Sequence, residues 1–168
     1  MADTDNLDPD HNQIHVVHIH APIETVWAAI TRTGEKLPFY FNSILQAKLS
    51  PGSPLRYTSA NGKRTFIVGE VIAVDAPRLF VHTLRFTHLA EPPSPVAFEL
   101  VAEGDKTTVT IRHRDIAGKR HRSMVKAGWP FILNNLKSLL ETGHLPFKTR
   151  VQNVVMRMFA PFMPREVP

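Results

Sequence analysis

The stretch SMVKAGWPFILNNLKSLLET, from Ser123 to Thr142, decides the fold of this chain. With about 100° between successive residues, its apolar side chains fall within a stripe about a third of a helix circumference wide. These residues are Val125, Trp129, Ile132, Leu133, Leu136, Leu139 and Leu140. Ser123 is suited to cap the start of the helix and Gly143 to end it, while Pro130 predicts a kink inside it. We therefore expect a long, one-sided helix that closes a curved sheet over a cavity.

Composition and charge fit one globular domain. The chain has 168 residues, of which 43% are hydrophobic and 21% charged, enough for one sizeable core. It has no cysteine, which excludes disulfides, thiolate metal sites and cysteine nucleophiles and favours a cytoplasmic protein. We find no secretory signal and no apolar run of membrane-spanning length. A net charge of +5 favours anionic partners only mildly, and we expect no nucleic-acid partner.

The first part of the chain is predicted to form one strand and two short helices. Residues 1–12 are expected to be a disordered lead. The segment from Gln13 to His20 alternates as a strand does, although its pattern does not decide which face is inner. A short amphipathic helix is predicted from Pro22 to about Arg32. The aromatic segment from Glu35 to Phe41 is expected to form a second helical turn over the core.

Six further strands follow, separated by turn residues. They are Ser43 to Leu49, Pro54 to Ser59, Arg64 to Val74, Arg78 to Thr87, Pro95 to Glu103 and Lys106 to His113. The short loops favour antiparallel pairs, because a parallel pair needs a crossover of about a dozen residues or more. The prediction is an α+β domain over residues 13–143. A curved antiparallel sheet of about seven strands wraps around the long C-terminal helix, and the two short helices lie between the first two strands.

Several segments between Gln13 and Gly143 resemble a known superfamily. They are Ala21-Pro22 to Val26-Trp27, Gly69-Glu70-Val71, Val74-Asp75-Ala76-Pro77-Arg78-Leu79, Phe98-Glu99-Leu100, Thr107 to Ile111, and Gly128-Trp129 to Leu136-Lys137. They resemble the START-like, Bet v 1-like (SRPBCC) superfamily, and within it single-domain homologues of the Hsp90 ATPase activator's C-terminal domain. The resemblance implies a helix-grip fold with an internal cavity that often holds an apolar small molecule. It does not imply one activity, because the superfamily includes carriers, cyclases, receptors and chaperone-binding domains.

Large apolar residues from separate elements are expected to line that cavity, with a few polar groups that orient a ligand. His82 and His113 alternate with inward apolar residues of their strands, and Tyr57 and Glu70 are further polar candidates. Gly69 or Ala73 is expected to be a small inward residue at which a bulky one would fill the space. The predicted ligand-binding residues are Trp27, Tyr57, His82, Phe98, Leu100, Ile111, His113, Trp129, Leu133 and Leu136.

Neither a metal site nor a catalytic site is predicted. His18 and His20 form a His-x-His pair with His15 nearby, but no further ligand follows at a recognisable spacing, so we expect no metal and no other cofactor. No nucleophile can be paired with a base and an orienting group, and no glycine-rich phosphate loop occurs. A buried histidine or carboxylate with a shifted pKa could still act as acid or base.

A cluster of cations surrounds the start of the long helix. It consists of Arg112, Arg114, Lys119, Arg120, Arg122 and Lys126. Positive charge at a helix N-terminus opposes the helix dipole, so an anion docked there would relieve the repulsion. The predicted contacts to an anionic partner are Arg120, Arg122 and Lys126, and a solvated loop is the alternative.

Residues 144–168 form a C-terminal extension with a second amphipathic stretch. Its apolar face consists of Val151, Val154, Val155, Met158, Phe159 and Phe162. The extension is expected to dock on the domain as a lid or on a second copy of the chain. A basic helix on an anionic membrane is the other alternative, although Pro161 and Pro164 limit the stretch to about three turns.

The sequence is compatible with three functions. The first is a cytoplasmic, cofactor-free module that binds a hydrophobic small molecule in an internal cavity, and the sequence favours it. The second is an interaction protein that contacts an Hsp90-type chaperone or another acidic partner through the basic cluster. The third is an enzyme of the polyketide cyclase or aromatase type. We expect a monomer or a weak homodimer.

Overall fold

A computed structural model of the protein describes residues 11 to 152. Its elements, in chain order, are β1 (Gln13–Ile19), α1 (Ile23–Ile30), β2 (Lys36–Leu37), β3 (Ser43–Ala47), β4 (Pro54–Thr58), β5 (Thr65–Asp75), β6 (Leu79–Phe86), β7 (Ser94–Glu103), β8 (Lys106–His113) and α2 (Lys119–Thr142). The strands form one eight-stranded sheet in the order β1-β8-β7-β6-β5-β4-β3-β2. All neighbours are antiparallel. The helix-grip fold predicted from the sequence is confirmed, with one strand more than expected.

Two local features differ from the sequence prediction. Residues 35–41 contain the short strand β2 followed by a turn, instead of a second short helix. Phe41 and Asn42 have φ angles of 53° and 54°, a left-handed backbone that interrupts a regular helix. The long helix begins at Lys119, one turn before Ser123, and Gly118 at its N-cap offers no side-chain hydrogen bond.

The end of α2 and its buried stripe follow the prediction. Gly143 ends the helix with a left-handed φ of 76°, and its N–H donates to the Leu139 carbonyl at 2.9 Å. Trp129 and Leu136 are 2% and 1% exposed. The other predicted stripe residues lie on the same side, either fully buried or packed against the core: Val125, Ile132, Leu133, Leu139 and Leu140. α2 therefore packs on the concave side of the sheet.

β1 lies at one edge of the sheet and pairs only with β8. Its odd-numbered residues face inward, which settles the face that the sequence left open. Ile14 and Val16 on the outer face are 51% and 53% exposed. On the free side of the strand, the Lys137 ammonium donates to the His18 carbonyl, and the His20 N–H donates to Glu141 Oε1 at 2.8 Å. These two contacts from α2 lie at the C-terminal end of β1, and Gln13 Nε2 donates to the Arg122 carbonyl at the other end.

The sheet bends where β5 pairs with β6. A Cβ atom on Gly69 would lie 1.9 Å from the Thr83 carbonyl oxygen, so the two strands approach at a distance that only glycine allows. The register also shifts between Val71 and Ala73, as expected of a bulge that bends a strand. The bend brings Ile67 and Val71 of β5 to the buried side. It positions the strands that form the outer wall of the cavity described below.

The chain after α2 begins to fold back on the domain. Thr149 is buried, and its hydroxyl donates to Asn135 Oδ1 at 2.7 Å, while Asn135 Nδ2 donates to the Phe39 carbonyl at 3.4 Å. Leu145 packs against the core. Most of the predicted apolar face of the extension, from residue 154 on, lies outside the described residues, as do residues 1–10. No helix between residues 11 and 152 has the length and apolar character needed to cross a membrane.

Candidate functional site

A cavity of about 260 Å³ lies between α2, the turn before β3, and strands β4 to β6. Its wall is almost wholly apolar. The lining residues are Tyr40, Phe41, Ser43, Tyr57, Phe66, Ile67, Leu84, Phe86, His88, Met124, Val125, Gly128, Trp129 and Ile132. Five elements (α2, β3, β4, β5 and β6), the turn before β3 and the segment after β6 therefore contribute to a single concave apolar site, which is the usual form of a small-molecule site.

Aromatic rings form much of this wall. Tyr40 stacks on Tyr57 with ring centroids 4.6 Å apart and an angle of 10° between the planes. Tyr40 also meets the edge of Trp129 at 6.2 Å. These contacts join the turn, β4 and α2 at one point. The cavity is thus lined by aromatic side chains that already pack against one another, which limits their movement.

The polar groups of the cavity are few. The Ser43 hydroxyl donates to the Tyr40 carbonyl at 2.7 Å and is occupied. The phenol groups of Tyr40 and Tyr57, in contrast, have no hydrogen-bond partner among the described residues. Burial raises the pKa of Tyr57, and burial together with the neighbouring Tyr57 raises the pKa of Tyr40. Both phenols therefore stay protonated near neutral pH and can donate to an acceptor atom of a ligand.

The turn before β3 forms one part of the cavity wall. Phe41 is 38% exposed and stacks on Phe131 of α2 with ring centroids 4.9 Å apart. A left-handed φ is unfavourable for a bulky residue such as Phe41, whereas Asn42, which follows it with the same backbone conformation, tolerates it. The stacking on Phe131 and the buried Tyr40 next to Phe41 hold the turn in place. His88 is an exposed polar residue of the cavity lining.

A buried hydrogen-bonded chain lies behind the cavity wall. Trp129 Nε1 is 3.1 Å from His113 Nδ1, and His113 Nε2 is 2.7 Å from Ser94 Oγ. Burial lowers the pKa of His113 to about 3, with smaller contributions from His121, His82 and His15. His113 is therefore neutral near pH 7, with both ring nitrogens engaged. It supports Trp129 and does not present a free nitrogen to the cavity.

Two further histidines are buried near this chain. His82 Nδ1 donates to the Thr83 carbonyl at 2.8 Å, which leaves Nε2 as an acceptor without a partner among the described residues. Its ring lies among Tyr57, Phe80 and Phe98. Burial lowers the pKa of His82 to about 4, and burial also lowers the pKa of His121. Neither His82 nor His121 lines the cavity.

Of the predicted ligand-binding residues, Tyr57 and Trp129 line the cavity. Trp27 is half-buried on α1 and packs against the core. The remaining predicted residues are buried core residues outside the cavity lining: His82, Phe98, Leu100, Ile111, His113, Leu133 and Leu136. Strand alternation and helical spacing placed these side chains on the inner face but did not separate the cavity wall from the solid core. Glu70, the other polar candidate, is exposed.

Sequence reasoning missed most of the wall. Tyr40, Phe66 and Phe86 come from a turn and from the ends of strands, where periodicity carries little information. Gly128 and Met124 could have been predicted, because they lie at helical spacing with Val125, Trp129 and Ile132 and therefore on the same side of α2. The space beside Gly128 is open, since a Cβ atom built there meets no other heavy atom within 4 Å. Gly128 and not Gly69 is therefore the position at which a larger side chain fills the cavity, and Ala73 does not line it.

The basic cluster divides between two places. Arg122 and Lys126 line a groove of about 690 Å³ together with Lys119, Ser123 and three β1 residues, Gln13, Ile14 and His15. Arg120, the third predicted contact, is exposed and does not line this groove. Arg112 is held by both carboxylate oxygens of Glu99 at 3.0 Å. Between residues 11 and 152, no group of three or more His, Asp or Glu residues is arranged to hold a metal ion.

Comparison with known proteins gives the family. Residues 20–141 match the family described as Activator of Hsp90 ATPase homolog 1-like protein. No curated protein matches the chain in sequence. CalU16 from Micromonospora echinospora has a similar structure, with a TM-score of 0.63 and 19% sequence identity over 89% of this chain and 86% of that chain.

Two further structures are also similar. An Hsp90 activator from Plasmodium falciparum has a TM-score of 0.62 and 18% identity, covering 77% of this chain and 96% of its own. The Aha1 dimer from Colwellia psychrerythraea has a TM-score of 0.64 and 20% identity, covering 79% of this chain and 97% of its own. At these identities the similarity shows the fold alone. The family match covers more than half of the chain, so the chain belongs to the Activator of Hsp90 ATPase homolog 1-like family, within the START-like (SRPBCC) superfamily.

Proposed function

We propose that this protein binds a small, mainly apolar molecule that contains one or two rings, in the cavity under Trp129. The composition of the cavity wall supports this proposal. It is lined by aromatic and aliphatic side chains, and its unpartnered polar groups include the two phenols of Tyr40 and Tyr57. A wall of this kind supports apolar binding with one oriented hydrogen bond.

The size of the ligand follows from the volume. Pockets for drug-sized molecules begin at about 300 Å³, and this cavity has about 260 Å³. Stacked and edge-on rings in the wall favour a flat ligand, because aromatic pairs prefer offset-stacked or edge-to-face contacts. An acceptor oxygen on the ligand would accept a hydrogen bond from the phenol O–H of Tyr40 or Tyr57. The proposed ligand class is therefore a small aromatic alcohol or carbonyl compound.

The same geometry favours binding over catalysis. His113 uses both ring nitrogens in the hydrogen bonds to Trp129 and Ser94. The Nε2 of His82 is free, but it lies among rings and outside the cavity lining. A general acid or base must reach the reacting atom within about 3 Å or through one water. A cyclase or aromatase activity would need such a group in the cavity, so we place it behind the binding function.

Calorimetric titration with naphthalene and 2-naphthol tests the proposal. We expect both to bind with a negative heat-capacity change, because each buries apolar surface. Tyr57→Phe should lower the affinity for 2-naphthol by about threefold to tenfold, the usual effect of losing one hydrogen bond. The affinity for naphthalene, which has no acceptor oxygen, should stay unchanged. Gly128→Leu should abolish binding of both. Ala127→Leu places the same side chain on the neighbouring exposed position of α2 and should leave binding intact.

Two results would overturn this function. One is the absence of binding by any member of a broad panel of one-ring and two-ring compounds. The other is equal binding by the Gly128→Leu variant, which would place the ligand elsewhere. The first result would move the interaction function to first place.

A second candidate function is contact with an acidic protein, such as an Hsp90-type chaperone. Family membership suggests it, and one observation favours it: Lys119, Arg122 and Lys126 make no ion pair with another described residue. A cytoplasmic location and a monomeric or weakly dimeric state belong to the same proposal. Binding of a purified Hsp90-type chaperone should weaken with salt and with neutralisation of Arg122 and Lys126. Binding that ignores both changes would exclude the basic cluster as the contact.

A further inference from the structure

The groove between β1 and the first turns of α2 is separate from the cavity. Its lining residues are Gln13, Ile14, His15, Lys119, Arg122, Ser123 and Lys126, and none of them lines the cavity. We propose that this groove binds an extended peptide segment of a partner protein in which carboxylate residues alternate with apolar residues. The proposal rests on the second candidate function and deepens it, because it names the site and the form of the partner.

The helix wall of the groove is a row of unsatisfied positive charge. Lys119, Arg122 and Lys126 lie at intervals of three and four residues and therefore on one side of α2. Lys119 and Lys126 are exposed and Arg122 is half-buried. None of the three has an ion-pair partner in the part of the chain that the structure describes. The described lining residues include no carboxylate, so the charge of the groove calls for an anionic ligand.

A carboxylate does lie at the start of α2, but outside the groove. The side chain of Glu91 packs on Gly118, where a Cβ atom would be 2.4 Å from Glu91 Oε1. This carboxylate compensates part of the cationic first turn and of the helix dipole. It does not line the groove and makes no ion pair with the three cations. The groove cations therefore remain available to a ligand.

The floor of the groove is held by side-chain hydrogen bonds. Gln13 Nε2 donates to the Arg122 carbonyl at 3.1 Å, and His15 Nε2 is 3.3 Å from Gln13 Oε1. These contacts join β1 to α2 and fix the backbone that carries Arg122. A site that is formed before binding avoids part of the ordering cost of association. The groove is thus preformed by hydrogen bonds within the fold.

The opposite wall is a free strand edge. Backbone groups of alternate residues in an edge strand point away from the sheet. His18 and His20 on this side are occupied by Lys137 and Glu141 of α2, whereas Ile14 and Val16 lie beyond these contacts. Of these two residues, Ile14 lines the groove and Val16 follows it on the same outer face of β1. The side chains of Ile14 and Val16 are also half exposed. An extended peptide can pair with such an edge through its main chain and place apolar side chains beside Ile14 and Val16.

The spacing of the cations sets the pattern of the peptide. Lys119 and Lys126 are seven residues apart on α2 and therefore separated by about 10 Å along the helix axis. Carboxylates at alternate positions of an extended chain are about 6.7 Å apart, so three of them span about 13 Å. Flexible lysine side chains bridge the remaining difference. Contiguous carboxylates would point to opposite sides of the peptide and leave half of the charges unused.

The groove chemistry favours a peptide over other anions. Single-stranded nucleic acid is bound by combining cations with several aromatic stacking surfaces, and the described lining of the groove offers the ring of His15 but no Phe, Tyr or Trp. An anionic membrane is flat and cannot enter a concave groove between a strand and a helix. A peptide strand has the width, the main-chain groups and the alternating side chains that the two walls require.

The test is a titration of the full chain with a labelled seven-residue peptide in which Glu alternates with Val, followed by fluorescence anisotropy at low and high salt. We expect saturable binding that weakens with salt. A variant carrying Lys119→Gln, Arg122→Gln and Lys126→Gln should bind about tenfold more weakly. Arg120→Gln is the matched control, since it removes one charge next to the groove without touching its lining, and it should change the affinity by less than about twofold. Amide shifts in NMR spectra should appear at Ile14, Val16 and Lys126.

Two further arms separate the alternatives. A peptide of the same composition with its Glu residues contiguous should bind more weakly, and equal binding of it, or of an oligonucleotide, would overturn the proposal. Residues 1–10 carry Asp3, Asp5, Asp8 and Asp10 and no Lys or Arg. If the chain with these four aspartates changed to Asn binds the peptide and the natural chain does not, the occupant is the chain's own N-terminal segment and a partner peptide is excluded.

The outcome can be distinguished from failure of the second candidate function. If a purified Hsp90-type chaperone binds the chain and the alternating peptide neither binds nor competes, the acidic-partner function survives and the groove is excluded as its site. Loss of peptide binding in Arg120→Gln equal to that in the triple variant would likewise exclude the groove. Binding confined to the groove residues, with the control unaffected, supports the proposal.

Discussion

The indole Nε1 of Trp129 and the imidazole Nδ1 of His113 are 3.1 Å apart, and this contact fixes the proton on the histidine. An indole nitrogen can only donate, so Nδ1 of His113 accepts and carries no proton. The proton lies on Nε2, which donates to Ser94 Oγ at 2.7 Å, and the Ser94 hydroxyl is 3.5 Å from the Leu84 carbonyl. One directed chain thus ties α2 to β8, β7 and β6.

This series of hydrogen bonds predicts the effect of removing the Ser94 hydroxyl. In Ser94→Ala the buried Nε2–H of His113 loses its acceptor, and we expect a loss of about 1 to 3 kcal/mol in the free energy of unfolding. Urea denaturation measures it. Ser50→Ala removes an exposed hydroxyl and should change stability by less than about 0.5 kcal/mol. Nitrogen-15 NMR should find Nδ1 of His113 unprotonated; a proton on Nδ1 would contradict the direction of the chain.

Stability should depend on pH through the buried histidines. Burial lowers the pKa of His82 to about 4 and that of His113 to about 3, so between these values and about 6.5 the unfolded chain binds more protons than the folded one. The free energy of unfolding should therefore be highest above about pH 6.5. It should fall as the pH decreases below that value, by up to about 1.4 kcal/mol per pH unit for each histidine.

Urea denaturation between pH 8 and pH 5 measures this slope. His82→Phe removes one titrating group and keeps the ring contacts to Phe80 and Phe98, so its slope should be smaller. A slope identical in both proteins would mean that His82 is protonated without cost in the folded state.

Truncation of α2 should be costly at its buried face. Leu136 is 1% exposed, and Leu136→Ala should lower the free energy of unfolding by about 2 to 5 kcal/mol, because it leaves a cavity in a packed core. Leu49 is 37% exposed and gives the control, since Leu49→Ala removes the same atoms from the surface. Thermal denaturation compares the two variants. Equal melting temperatures would contradict the packing of α2 on the sheet.

Two glycines should respond to alanine with opposite signs. Gly69→Ala forces a methyl group into the Thr83 carbonyl and should destabilise the protein by about 1 to 3 kcal/mol or more. Gly128→Ala has open space and lies inside a helix, so it should stabilise by about 0.5 to 1 kcal/mol. Chemical denaturation of both variants gives the signs. A stabilising Gly69→Ala would refute the close approach of β5 and β6.

Much of the fold could be predicted from the sequence, because it follows from periodicity. The helical stripe around Trp129 and the alternation of β5 to β8 gave the sheet and its helix, and turn residues marked the loops. β2 could not be predicted, since a two-residue strand has no period and depends on its pairing with β3. The start of α2 was missed because Gly118 carries no capping side chain.

The candidate site was harder to predict for a different reason. Periodicity tells which side chains face inward: strand alternation placed Phe98 and Ile111 correctly on the buried side, and helical spacing did so for Leu133. Whether an inward side chain meets another side chain or open space depends on the tilt of α2 and the curl of β5, which are tertiary properties. Gly128 illustrates this, because the absence of a side chain on the helix stripe creates part of the space.

We expect the cavity under Trp129 to hold a small ring-containing molecule. Native mass spectrometry of the freshly purified full chain tests it most directly, with Gly128→Leu prepared in parallel as the variant whose cavity is filled and Ala127→Leu as the control. We predict an additional mass of one small organic molecule on the natural chain and on Ala127→Leu, and its loss in Gly128→Leu. The same adduct on all three proteins, or the absence of both an adduct and any binding of 2-naphthol, would contradict the account.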